Sequence, residues 1–298
     1  MINGHCLHEQ GRVTSLPRVR ADHHLNVSNA PGPHETKFVF KPELRSPFRR
    51  RERRNVNAVT DLQLAANGDV EHPAMPKTAE EIAADAAACV EAGATLLHLH
   101  AFDEHGEETL EAGPVGRMLT AVRAACPGVP INVTTFASII SDPVHRLRLV
   151  DGWTVLPDLI AANQGEEGID DVSALLSGRG VGIEACVLSV DDVRTFLRRG
   201  SWSRFARLVV EPLEPVAEDA VALAEQMESE LRAAEVRLPE LHHGVGLASW
   251  TIMRRAVSNG HSIRTGLEDT LVLEDGSPAA SNAQLVAAAS AIVHPSDR

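Results

Sequence analysis

The sequence predicts a (β/α)8 TIM barrel, preceded by an extension of different character. Three observations predict it. After residue 60, short apolar runs alternate eight times with longer amphipathic stretches. The runs are almost continuously apolar, as expected for parallel strands covered on both faces. Eight such repeats in about 240 residues fit the length of a barrel. A doubly wound open sheet is disfavoured, because no run leads into a G-x-G-x-x-G turn.

The candidate strands are LQLAA (62–66), TLLHLH (95–100), PINVTT (130–135), DLIAA (158–162), VGIEACV (181–187), ARLVVEP (206–212), LHHGV (241–245) and HSIRTG (261–266). The first is followed by a helix over 78–92, opened by Thr78 with Glu81 three residues on, the spacing of a capping box. Helices over 113–126, 143–150, 169–178, 189–199, 215–235, 248–259 and 280–293 follow the later strands, each with apolar residues at helical spacing.

Residues 1–57 differ from the rest. They hold 11 Lys or Arg against 5 Asp or Glu, a balance of +6, while the remainder holds 17 against 36, a balance of −19. The segment contains APGPH, five histidines and the run RRRERR, with no hydrophobic period. It reads as a separate, basic, largely disordered extension, and residues 58–298 as the barrel domain. The formal charge of −13 argues against nucleic acid as a general partner. No apolar run reaches the length of about 20 that spans a bilayer, and no signal-peptide core is present. Four widely spaced cysteines suggest neither a disulfide framework nor a zinc knuckle, which fits a cytoplasmic setting.

Barrel chemistry gathers at the carboxyl ends of the strands. The second strand ends His98-Leu99-His100, and residues two apart share a face, so two imidazoles can close on one zinc ion. The eighth ends Ile263-Arg264-Thr265-Gly266-Leu267-Glu268-Asp269. It offers a carboxylate that would complete a site of two histidines and one glutamate, with an open position for substrate. Other strand ends supply Thr134, Thr135, Asn163 and Glu211. Glu184 lies inside an apolar run, where a carboxylate is costly unless paired, which marks it as a site candidate. Of His242 and His243, one faces the barrel and the other the helices. Asn67-Gly68 reads as a turn and Cys186 as a small core residue.

The stretches TLLHLHAFDEHGEETL, IRTGLEDTLVLEDGSPAASNAQLV and LQLAANGDVEHPAMPKTAEEIAADAAACVEAGA resemble the zinc-dependent β-keto acid cleavage enzymes, from about residue 61 to the end. The resemblance implies a retro-Claisen-type acyl exchange in which a β-keto acid and acetyl-CoA give acetoacetate and a new acyl-CoA. It implies zinc held by His98, His100 and Glu268, with Asp269 as general base. Arg264 and Thr134 would support that base. From their places at the strand ends and within the fifth strand, Asn163, Thr135 and Glu184 are the candidates for substrate contact. It further implies a homo-oligomer that uses no cofactor beyond zinc and the thioester. Three positions depart from the pattern of the resembled enzymes: Phe102 stands where arginine is common, Cys186 for a glutamate, and Glu166 for a threonine. They fall where the distal part of the substrate would sit. Asp69 and Glu71 are equal candidates for the acidic residue after the first strand.

Two other readings compete. A metal-dependent hydrolase of the amidohydrolase type carries H-x-H on its first strand and often a bridging lysine, whereas residues 78–298 contain no lysine. A non-catalytic ligand-binding barrel would not be expected to keep all of His98, His100, Arg264, Glu268 and Asp269.

Overall fold

The computed structural model describes residues 60–295, so the basic extension lies outside the described residues. Eight strands run β1 (Leu62–Ala65), β2 (Leu96–Leu99), β3 (Ile131–Val133), β4 (Leu159–Asn163), β5 (Gly182–Val187), β6 (Arg207–Val210), β7 (Glu240–His242) and β8 (Ser262–Thr265). All neighbours pair in parallel, and β8 pairs with β1 to close a barrel in simple sequence order. The helices are α1 (Ala79–Glu91), α2 (Ala112–Ala125), α3 (Pro143–Asp151), α4 (Ile169–Gly178), α5 (Val190–Arg199), α6 (Ala217–Ala233), α7 (Ala248–Ser258) and α8 (Asn282–Val293). The fold is a (β/α)8 barrel.

Four of the helices start where short polar side chains satisfy a free N–H group of the first turn. Thr78 accepts from the Glu81 amide while the Glu81 carboxylate accepts from that of Thr78, the reciprocal arrangement its spacing predicts. Asp142, Ser189 and Ser281 cap α3, α5 and α8 by accepting from the amide three residues on, and Pro143 opens α3 at a position that needs no N–H donor. No described helix is long and apolar enough to cross a membrane.

Most of the apolar core lies between strands and helices, where residues such as Leu64, Leu97, Val133, Ile160 and Ile183 meet the inner faces of the helices. The barrel interior holds a smaller apolar plug of Cys186, Val209 and Leu241. Cys186 is thus the core residue its surroundings in the sequence suggest, and burial pushes its thiol well above the ordinary range. Beside the plug lies a polar layer. Glu184 on β5 is paired in register with Arg207 on β6, and its Oε1 sits 3.1 Å from Arg207 Nε. Its Oε2 accepts from Asn132 Nδ2 at 2.8 Å and from Gln63 Nε2 at 3.3 Å. The carboxylate expected at the substrate site is therefore committed inside the barrel, beneath Cys186 on the same strand. A buried carboxylate needs such partners.

Two strand ends differ from the sequence expectation. The seventh strand stops at His242, and His243 already belongs to the turn into α7. The eighth strand is followed by one tight turn, in which the amides of Asp269 and Thr270 both donate to the Gly266 carbonyl at 3.0 Å. Gly266 crosses β1 so closely that a Cβ there would lie 1.9 Å from the Ala65 carbonyl oxygen. Only glycine fits, and the crossing turns Glu268 and Asp269 over the barrel mouth.

Candidate metal centre and active site

Their spacing of two on β2 brings the histidine rings to one side, with His98 Nε2 and His100 Nε2 3.2 Å apart. Glu268 faces both: its Oε2 lies 3.5 Å from His98 Nε2 and its Oε1 3.5 Å from His100 Nε2. One ligand atom from each of the three residues falls within 4.8 Å of the others.

Both rings are held from behind. His98 Nδ1 is 2.7 Å from Asn132 Oδ1, and Asn132 is fixed in that orientation because its Nδ2 donates to Glu184. His100 Nδ1 is hydrogen-bonded to Glu108 Oε1, and the His100 backbone amide donates to Asn67 Oδ1 at 2.9 Å. An acceptor on each Nδ1 places the ring proton there and leaves both Nε2 lone pairs aimed at Glu268. Two lone pairs and a carboxylate facing one another inside a protein call for a cation. Glu268 Oε2 is buried without a hydrogen-bond donor among the described residues. Two neutral imidazoles and a carboxylate with an open side suit a zinc ion of the catalytic type.

Arg264 joins this triad to the neighbouring carboxylate. Its Nη2 lies 2.7 Å from Glu268 Oε1 and 2.8 Å from Asp269 Oδ1, and its Nε 3.1 Å from Asp269 Oδ2. Burial works against ionisation of both acids, but Arg264 overrides it. Glu268 is held well below the usual carboxylate range, and Asp269 is lowered with help from His243.

Five of the predicted residues, His98, His100, Arg264, Glu268 and Asp269, thus form one connected cluster. The others are placed differently. Thr134 is buried two residues beyond Asn132 on the same face of the chain, and its hydroxyl accepts from the Phe136 amide at 3.2 Å. Thr135 donates its hydroxyl proton to the Ala161 carbonyl at 2.8 Å, closing the exits of β3 and β4. Asn163 donates to Glu166 Oε1 at 3.1 Å. Glu166 also accepts from the Ala137 amide and pairs with the fully buried Arg146 at 2.7 Å, tying the loop after β3 to that after β4.

Sequence reasoning did not single out Asn132 or Glu108, which act on the histidines from another strand and from a loop. Asn67 looked like a turn residue but is buried, with Nδ2 donating to the carbonyls of Pro76 and His100. His243 does face the barrel, at 3.3 Å from Asp269, and His242 faces the helices.

Beside the triad lies a cavity of about 830 Å³ lined by Asp69, Glu71, Lys77, Phe102, Glu108 and Ile139 among others. The Lys77 ammonium sits 5.3 Å above the Phe102 ring. Phe102 and Glu108 form an isolated antiparallel bridge that closes the loop after β2.

A second group of ligating side chains, Glu228, Glu240, His242 and His261, lies at the start of β7 and β8 under α6 and α7. Glu228 is bonded there by Arg255 and Arg232, and His242 Nε2 lies 3.0 Å from Glu240. Both guanidiniums pair with Glu228, while Glu240 meets His242 and His261, so the group reads as an ionic tie between helices and barrel floor.

Residues 62–298 match the family of beta-keto acid cleavage enzymes. The 3-keto-5-aminohexanoate cleavage enzyme of Fusobacterium nucleatum is 25% identical over 238 residues, covering 72% of this chain and 82% of that protein. The 3-oxoadipate:acetyl-CoA acetyltransferase of Cupriavidus necator is 25% identical over 236 residues, covering 74% and 82%. Among solved structures, the binary complex of ObcA with oxaloacetate superposes with a TM-score of 0.60 at 16% identity, over 72% of this chain and 62% of that one. This chain therefore spans about three-fifths of the ObcA chain, and the likeness speaks to the fold. With the family match running from β1 to the C-terminus, the chain belongs to the beta-keto acid cleavage enzyme family.

Proposed function

We propose that the protein is a zinc-dependent β-keto acid cleavage enzyme that exchanges acyl groups between a β-keto acid and acetyl-CoA. The observation that carries this reading is the convergence of His98, His100 and Glu268 beside the Arg264–Asp269 pair. In the exchange, the acyl group of R–CO–CH2–COO⁻ passes to CoA, and its CH2–COO⁻ part takes the acetyl group, so the products are acyl-CoA and acetoacetate. The Cupriavidus relative is named as an acetyl-CoA acetyltransferase, which supports the thioester as the second substrate.

His98, His100 and Glu268 are the residues that would hold zinc. When bound, it supplies a Lewis acid for the carboxylate and keto oxygens of the substrate. Asp269 takes the proton from the carbon between the two carbonyl groups. An ionised carboxylate is a weak base toward carbon, so Arg264 serves to keep it charged and oriented rather than to strengthen it. Thr134, whose oxygen accepts from Phe136, keeps its hydroxyl proton to donate to a bound ligand. Asn163 contributes to the wall at the end of β4.

The test is a screen of zinc-loaded protein with acetyl-CoA and a panel of β-keto acids, with new acyl-CoA species detected by mass spectrometry. Transfer that disappears in Asp269→Asn, with zinc retained, supports the reading. Zinc-loaded protein that consumes no thioester with any acid of the panel, while Asp269→Asn binds the same acids unchanged, refutes it.

A further inference from the structure

Three consecutive strand exits, those of β6, β7 and β8, place Glu211, His243 and Asp269 in a row. His243 is fully buried. Its Nδ1 lies 3.3 Å from Asp269 Oδ1 and its Nε2 3.3 Å from Glu211 Oε2. The ring is thus spanned by two carboxylates, with Arg264 beyond Asp269 as the remaining charge that acts on it. We propose that Glu211 and His243 form an orienting pair that locks Oδ1 of Asp269 and leaves Oδ2 as the oxygen that accepts the substrate proton.

The geometry of Asp269 carries the assignment. A carboxylate oxygen offers two lone-pair sites. Oδ1 accepts from Arg264 Nη2 at 2.8 Å and also faces His243 Nδ1 at 3.3 Å, a contact of ion-pair range. Oδ2 has a single donor, Arg264 Nε at 3.1 Å, and keeps a site open. The base step then balances: the C2–H bond of the keto acid breaks, its proton goes to Oδ2, and its electron pair moves toward the keto oxygen.

Arg264 alone does not hold Asp269 securely, because the same Nη2 also serves Glu268 at 2.7 Å. A guanidinium shared between a metal ligand and the base can be drawn toward either. His243 supplies a second, electrostatic anchor from the neighbouring strand, and the Glu211 carboxylate holds the charge of the ring from its far side. Burial and Arg264 disfavour a charged ring, yet Glu211 and Asp269 outweigh them and push His243 up to about 9. The backbone is held as well, the Gly246 amide donating to the Asp269 carbonyl at 2.8 Å.

This inference rests on the proposed reaction, so its test includes a readout that does not need acyl transfer. Exchange of the C2 hydrogens of acetoacetate in D2O, followed by NMR with zinc-loaded protein, reports the base step alone. His243→Ala is expected to lower both exchange and kcat about 100-fold, with KM for the keto acid within about threefold and bound zinc unchanged. His243→Gln restores about tenfold of that loss through its amide N–H. Glu211→Gln, at a partly exposed site, lowers exchange about tenfold and serves if His243→Ala does not fold. Exchange at the wild-type rate in both His243→Gln and Glu211→Gln overturns the proposal, as does a loss that follows zinc content or KM. Wild-type protein that exchanges without transferring acyl groups refutes the proposed reaction and leaves the orienting pair standing. Wild-type protein that does neither refutes both.

Discussion

Asn132 Oδ1 sits 2.7 Å from His98 Nδ1, and the same amide is fixed from its other end by Glu184 at 2.8 Å. The tautomer of a histidine that faces Glu268 is thereby set by a carboxylate on β5, beyond its own neighbouring strand. Asn132→Ala is expected to weaken zinc binding about 10- to 100-fold with the barrel intact. Competition with a chromophoric chelator measures the affinity, and far-ultraviolet circular dichroism checks the fold. Unchanged affinity would mean that the ring needs no such support.

Gly266 has no alternative. With its Cβ position 1.9 Å from the Ala65 carbonyl oxygen, Gly266→Ala must separate β8 from β1. The expected cost is about 3 kcal/mol or more, read as a fall in the denaturation midpoint. Gly68 presents a milder case, since a Cβ there meets Glu268 Cγ at 3.2 Å. Gly68→Ala is expected to leave stability nearly unchanged but to weaken zinc binding by shifting Glu268.

Asp85 on α1 accepts from Asn282 Nδ2 at 2.8 Å, and burial pushes its carboxyl up to about 6. A carboxyl that is harder to ionise when folded favours the folded state at low pH. The advantage is complete below about pH 4, shrinks as the pH rises to about 6, and is gone above that. Asp85→Asn keeps an acceptor and avoids the buried charge. It should therefore be more stable than the parent by about 2 kcal/mol at pH 8 and show no gain near pH 4. Equal midpoints at both pH values would contradict this.

Glu166 pairs with Arg146, whose side chain is fully buried. Glu166→Gln strands that guanidinium and is expected to cost about 3 kcal/mol. The loops after β3 and β4 should open with it, which hydrogen exchange at the amide of Ala137 would record.

What was readable in the sequence follows the range of the forces involved. The barrel was legible because strand and helix periods are local, and Thr78 with Glu81 shows how far a four-residue pattern can reach. The two histidines and the Arg264–Asp269 run were legible for the same reason, since each set lies within one strand end. Asn132 and Glu108 were not, because their importance comes from partners 34 and 8 residues away that only folding brings near. Glu184 shows the same limit in reverse. A glutamate in an apolar strand signals a required partner, and the sequence did not reveal that Arg207 on the next strand supplies one. His243 fell between the two, since alternation alone left open which histidine of the pair faced inward.

The Phe102–Glu108 bridge makes the loop after β2 a lever with two working ends. One end forms a wall of the 830 Å³ cavity through Phe102, and the other holds His100 through Glu108. A molecule that moves Phe102 therefore pulls on the histidine that faces Glu268. In the proposed reaction, choice of substrate and grip on the metal become mechanically one adjustment, and replacing Phe102 to change the first is expected to retune the second.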